Sequence, residues 1–200
     1  MQIVQLPPPD TVGGMTVEQA LLHRRSVRTY TEDPLSLNQL SQILWSAQGI
    51  TSPRGFRTAP SAGATFPMVV YAVVGNVEGL PCGVYRYLPQ DHSIQMVIQG
   101  DLRVDLSKAA LGQEWVENAP VVLVLSAIPS RTSRRYGGRA MRYIYIEAGH
   151  IGQNIYLQCA SLGLGTVAVG AFIDEEVKDV LRLEGEEIPV YILPVGIIRR

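Results

Sequence analysis

The chain has 200 residues, 46% hydrophobic and 18% charged, enough for one well-packed domain and too apolar for a disordered segment. Its 17 basic and 18 acidic residues leave a formal charge of −1, unlike the basic balance of a general nucleic-acid binder. No apolar run approaches a membrane span and no signal-peptide pattern opens the chain. Two cysteines, Cys82 and Cys159, are too few for a disulfide scaffold or a cysteine zinc site, so a cytoplasmic protein without a bound metal is expected.

Residues 1–15, with Pro7-Pro8-Pro9, read as an N-terminal arm, and residues 16–200 as the domain. Thr16-Val17-Glu18-Gln19 is a capping box that opens a helix running to about Arg24 or Arg25. Ser36-Leu37-Asn38-Gln39 is a second. Leu37, Leu40, Ile43, Leu44 and Ala47 then recur at helical spacing until Gly49. Residues 51–67 read as an ordered Gly/Pro/Ser/Thr loop with one short helix after Pro60. Strands are predicted at 68–75, 83–88 and 93–98, the last two joined by a turn at Pro89–His92. An amphipathic segment follows at 101–111, then the continuous apolar strand Val121–Ala127. A helix over 141–162, a strand at 166–172, a helix at 174–183 and a last strand at 188–198 complete the chain. This order predicts an α+β fold whose mixed, mainly antiparallel sheet is flanked by helices.

The 141–162 helix is apolar almost all round, with Ile144, Ile146, Ile151, Ile155 and Leu157 among its positions. One sheet layer cannot bury every face of such a rod, so one face is expected to meet a second copy of the chain. Glu147, His150, Asn154, Gln158 and Ser161 form a polar stripe along it, either a hydrogen-bonded helix seam or a ligand contact.

Gly163-Leu164-Gly165 follows a helix and precedes a strand, the reverse of a dinucleotide-binding fingerprint, so that reading is rejected. Gly163 suits a left-handed helix end, and Gly165 suits close approach of a ligand or another backbone. The sequence contains no serine-hydrolase elbow and no phosphate-binding P-loop. Only Lys108 and Lys178 are lysines among the 17 basic residues, and the arginines cluster. Arg24-Arg25-Ser26-Val27-Arg28 is either a solvated helix end or a phosphate clamp of guanidinium forks. Arg131, Arg134, Arg135, Arg139 and Arg142 form either a solvated basic segment or a cover attracting a phosphate-bearing or acidic substrate.

Four segments together carry a family resemblance. Arg24-Arg25-Ser26-Val27-Arg28-Thr29-Tyr30 resembles the opening motif of the nitroreductase family of FMN-dependent oxidoreductases. Pro60-Ser61-Ala62-Gly63-Ala64-Thr65-Phe66-Pro67 resembles its second motif, in the form found in the SagB/ThcOx branch. Tyr143–Gly170 is similar to the family's central dimer helix and flavin-edge loop, and Pro194-Val195-Gly196 to its closing strand.

The resemblance implies a homodimer with FMN at the interface, reduced by NAD(P)H and reoxidised by a small acceptor such as a quinone, nitroaromatic or enone. It implies that Arg24, Arg25, Ser26 and Arg28, with Arg200 as a second phosphate ligand, hold FMN. Pro60, Ser61, Ala62 and Gly63 would come from the partner, and backbone N–H groups of Gly163, Leu164, Gly165 and Thr166 would face the flavin edge. The flavin N5 carries the chemistry, and Tyr136 is the one candidate proton donor. Ala64 stands where many family members have Asn, which favours the SagB-like branch and its biosynthetic dehydrogenases. Arg135 stands where that branch's azoline oxidases carry a catalytic Lys, and Arg cannot act as a neutral base. A non-catalytic flavin-binding protein is the remaining alternative.

Overall fold

Both capping boxes form. In the computed structural model, which describes residues 2–199, the Thr16 hydroxyl accepts from Gln19 N–H at 3.2 Å and the Gln19 side chain returns to Thr16 N–H at 3.0 Å. Ser36 and Gln39 repeat the exchange at 3.2 and 2.9 Å. Each N-cap contributes about 1 kcal/mol. They open α1 (Val17–His23) and α2 (Leu37–Gln48).

Among the described residues the sheet has seven strands in the order β1 (Ile3–Gln5), β4 (Ser93–Gln99), β3 (Gly83–Leu88), β2 (Met68–Val74), β5 (Val121–Ala127), β7 (Ile188–Ile197), β6 (Leu164–Thr166). Every strand pair is antiparallel. The parallel component is confined to single bridges, Ser26 to Thr166 and Leu35 to Val77. β2 and β5 are buried at every position, so their unbroken apolar runs mark the centre of the sheet.

Helices cover both faces. On one lie α2 and the long α6 (Ala140–Ser161), packing Leu40, Ile43, Leu44, Ile144, Ile151 and Ile155 against the sheet. On the other lie α3 (Arg103–Ala109), α4 (Glu114–Glu117) and α7 (Asp174–Leu181) around Leu106, Val116, Val177 and Leu181. A short helix, α5 (Ser130–Tyr136), leads through a 3-10 turn directly into α6.

Three predicted elements change. The strand expected at 166–172 is β6 at Leu164–Thr166, and the apolar run beyond it touches the sheet by one bridge, Val169 to Ile192. Ser130–Tyr136, expected as a loop or helix start, is a helix of its own. Residues 3–5 pair with β4, and Pro7 O accepts from Ser41 Oγ at 2.6 Å, tying the proline segment to α2.

Candidate functional site

After His23 the chain leaves α1 and lies along β6. Val27 N–H donates to Thr166 O at 2.9 Å, beside the Ser26–Thr166 bridge. Tyr30 OH donates to Val27 O at 2.8 Å and to Pro194 O at 3.3 Å. Burial pushes the Tyr30 phenol far above its ordinary value, so it stays a donor. Gly165 and Gly196 make room for that contact. A Cβ on Gly196 would lie 2.7 Å from the Tyr30 ring, and one on Gly165 would lie 2.7 Å from Val27 Cβ. Of the two readings of Gly165, close approach by the chain's own segment is the one the geometry selects.

Tyr156, on α6, anchors the arginine segment, a role that no motif or spacing in the sequence marks. Its hydroxyl lies 3.0 Å from Ser26 Oγ and accepts from Ala168 N–H at 2.8 Å. The Arg24 guanidinium stands 5.1 Å from the Tyr156 ring, and that of Arg28 5.4 Å from the Trp115 ring. Arg25 turns back, donating to Leu22 O at 2.9 Å and Arg24 O at 2.8 Å, as a cation at a helix C-terminus does. Among the described residues none of these three arginines has a carboxylate partner. Thr166 Oγ1 and Trp115 Nε1 are buried without a hydrogen-bond partner. Arg200 lies outside the described residues.

Gly163 N–H donates to Ala160 O at 3.2 Å, Leu164 to Thr166 stand in the ladder with β7, and Thr166 is bridged to Ser26 on its other edge. The turn is thus a wall of backbone, paired with β7 along one edge and with the arginine segment at Thr166 on the other.

The Pro60–Phe66 loop forms a second constellation. Three of its residues have left-handed backbone: Gly63 at φ 58°, Ala64 at 53° and Phe66 at 44°. Such residues persist only where their surroundings hold them. Here a closed ring of contacts does so. Phe66 N–H donates to Ser61 Oγ at 2.9 Å, and the Ser61 hydroxyl bonds to the buried carboxyl of Glu147. Gln48 Nε2 donates to Glu147 Oε1 at 3.5 Å, Arg57 donates to Gln48 Oε1, and the Arg57 guanidinium stacks 4.3 Å from the Phe66 ring. Burial raises the Glu147 pKa, opposed by the bonds from Ser61 and Gln48 and by the charge of Arg57.

Helix α5 covers this loop. Arg131 Nη1 donates to Phe66 O at 3.1 Å, Arg135 Nη1 to Gly63 O at 3.3 Å, and the Thr65 and Thr132 hydroxyls meet at 3.0 Å. A Cβ on Gly63 would lie 2.7 Å from Tyr136 Oη, so Tyr136 stands directly over the loop. Its ring contacts that of Tyr143 at 4.7 Å.

The two constellations sit apart along α6. Residues 24–28 dock on α6 at Tyr156 and the loop at Glu147, nine residues or about 13 Å apart along the helix, with α5 at its N-terminal end. Most of the polar stripe is used within the chain. Asn154 Nδ2 donates to Ser46 O at 3.1 Å and Thr58 O at 3.2 Å, and Gln158 accepts from Gln42 at 3.2 Å, so this seam joins α6 to α2. Arg142, Tyr145, Ile146, Gly149, His150 and Gln153 remain exposed, with Tyr145 at 58% and Ile146 at 49%. No group of metal-ligating side chains converges among the described residues, and no helix there is long and apolar enough to cross a membrane.

The sheet order, the long helix and its flanking constellations define the nitroreductase fold. The structure is similar to a crystal structure of a nitroreductase-named protein from Ralstonia eutropha JMP134, at TM-score 0.89 and 32% identity, covering 100% of this chain and 91% of that one. The chain belongs to the Nitroreductase family, whose model matches residues 21–197. Protein MJ1384 of Methanocaldococcus jannaschii, which carries a nitroreductase name, is 46% identical over 193 residues, 96% of this chain and 95% of that one. The FMN reductase [NAD(P)H] of Bacillus subtilis is 25% identical over 192 residues, 90% of this chain and 63% of that one.

Proposed function

We propose that this nitroreductase-family oxidoreductase is a homodimeric FMN enzyme that takes electrons from NAD(P)H and passes them to a small acceptor such as a quinone, nitroaromatic or enone. The observation that carries the reading is the guanidinium set at Arg24 and Arg28, with the Ser26 hydroxyl, docked on the 163–166 wall without a carboxylate to neutralise it. That donor chemistry fits the phosphate and polar chain of FMN. When bound, FMN supplies two-electron transfer, which no side chain of this molecule can.

The chain's own residues would bind, orient and cover. Arg24 and Arg28, held over Tyr156 and Trp115, present charge-assisted donors, and Arg25 adds positive field from its helix-capping position. Gly163–Thr166 provide a rigid wall beside the ring. Pro60–Gly63 would reach that wall from a second copy laid antiparallel along the face of α6 where Arg142, Tyr145, Ile146, Gly149, His150 and Gln153 are exposed. Tyr136, standing over Gly63, would then hold a proton at its Oη at the mouth of the shared site. The name of the Bacillus subtilis relative is consistent with the same cofactor and donor. Both cysteines are free thiols, which suits a reducing cytoplasm.

A second reading is a SagB-type biosynthetic dehydrogenase that passes electrons to oxygen. Ala64, a left-handed residue in the clamped loop, favours that branch. Arg135, donating to Gly63 O, holds the loop where the azoline oxidases need a lysine base.

Purified protein is expected to carry near-stoichiometric flavin absorbance, to elute as a dimer, and to be bleached rapidly by NADPH or NADH under anaerobic conditions. Slow bleaching by both, with rapid bleaching by an organic substrate, would favour the second reading. Flavin bound without any turnover would make the protein a flavin carrier. Colourless protein that fails to bind added FMN would refute all three.

A further inference from the structure

We infer that this protein has a second anion site, a cleft for one phosphate group at the parted ends of β2 and β3. The two strands pair from Val74 with Gly83 to Tyr71 with Arg86, and there the ladder stops. Met68–Val70 continue against β5 alone, and Tyr87 and Leu88 continue against β4 alone. The parted strands leave a notch of about 140 Å³, and Arg57, Arg86, Arg131, Gln48 and Gln90 line it.

Three arginines at one notch need a counter-charge. Among the described residues none of them forms an ion pair with a carboxylate. Glu147 favours the charge on Arg57, while Arg131, lining the same notch, opposes it. Guanidinium forks facing a concave, partly buried surface are the donor set for a phosphate. The volume, well below the roughly 300 Å³ of a typical small-molecule pocket, admits one such group and no mononucleotide. The ligand is therefore inorganic phosphate or the phosphate end of a larger ester that projects from the cleft.

The site is separate from the arginines at 24–28, which are bridged to β6, with β5 and β7 between β6 and β2 in the sheet. It also touches the loop. Arg57 holds the Phe66 ring and Arg131 the Phe66 carbonyl, so a phosphate relieving their repulsion tightens both grips. Occupancy is expected to order residues 60–66.

The test uses the purified protein with FMN added to saturation, titrated with inorganic phosphate, and separately with glycerol 3-phosphate, at constant ionic strength against chloride. Calorimetry should give saturable binding, and hydrogen exchange at residues 60–66 should slow as the site fills. Tighter binding of the free ion or of the ester identifies which source the cleft takes. Arg131→Ala and Arg86→Ala should each weaken binding roughly tenfold or more, the loss expected for a charge-assisted contact. Arg134→Ala, on the same helix but outside the notch, and Arg24→Ala should leave it within about twofold. If neither probe binds saturably, or Arg134→Ala weakens binding as much as Arg131→Ala, the notch is not a phosphate site. Loss of binding in Arg24→Ala alone would assign the phosphate to the flavin site instead.

Discussion

Replacing Gly165 by Ala adds one methyl group where the arginine segment rests on β6. The Gly165 backbone is not left-handed, so the change is purely steric. The new carbon would lie 2.7 Å from Val27 Cβ and Cγ1 and 3.1 Å from Ile198 Cγ1. Carbon atoms pack comfortably at about 3.5–4.0 Å, so Val27 must retreat by about 1 Å. That displacement stretches the 2.9 Å bond from Val27 N–H to Thr166 O. Overpacking costs about 1–3 kcal/mol and the weakened hydrogen bond up to about 1 more, offset by about 0.4–1 kcal/mol because Ala restricts the unfolded chain. The net loss should be about 2 kcal/mol, or roughly 4–8 °C in Tm for a domain of this size. Urea denaturation measures it, with Gly170→Ala as the comparison, since a Cβ there would meet nothing closer than 4.0 Å. Flavin affinity should fall in parallel as Arg24 and Arg28 move off the wall. If Gly165→Ala unfolds with the wild type, Val27 does not sit on Gly165 and the account of this glycine is wrong.

Tyr156→Phe keeps the ring under Arg24 but strands Ala168 N–H and Ser26 Oγ. It should cost about 1–3 kcal/mol in urea melts and weaken FMN binding, and a loss under about 0.5 kcal/mol would mean that water replaces the hydroxyl. Glu147→Gln tests the buried carboxyl. Its pKa is raised in the folded state, chiefly by burial, so its contribution to stability is fully present below the unfolded-state pKa and is lost as pH rises through the folded value. The stability of wild type relative to Glu147→Gln should therefore fall as pH rises above about 4.5, and a difference that grows with pH would contradict the assignment.

Local signals in the sequence translated directly into structure. Thr16 and Ser36, each with Gln three residues on, start α1 and α2 where expected. The apolar runs at 68–74 and 121–127 are the sheet's central strands. What escaped depended on distant partners. Ser130–Tyr136 has no apolar periodicity, and it is helical because Thr132 and its arginines dock on the 60–66 loop. Val167–Phe172 looks like a strand because it is apolar, but that run fills the space between β7 and α7 rather than extending a ladder. In the candidate site the arginine segment and the Gly-rich turn were both legible as motifs. That Val27 occupies the Gly165 position, and that Gln48, Arg57 and Glu147 close a ring under Ser61, required the fold. No spacing rule links residues so far apart in the chain.

The separation of the two constellations along α6 has a genetic consequence. In a symmetric dimer each pocket would draw its guanidinium end from one subunit and its loop end from the other. Chains crippled at Arg24 and chains crippled at Gly63 would each be inert alone. Unfolded together and reassembled, they would form hybrids in which one pocket collects both lesions and its twin none. About a quarter of all pockets would regain wild-type composition under random pairing, so two dead proteins would complement one another in a single tube.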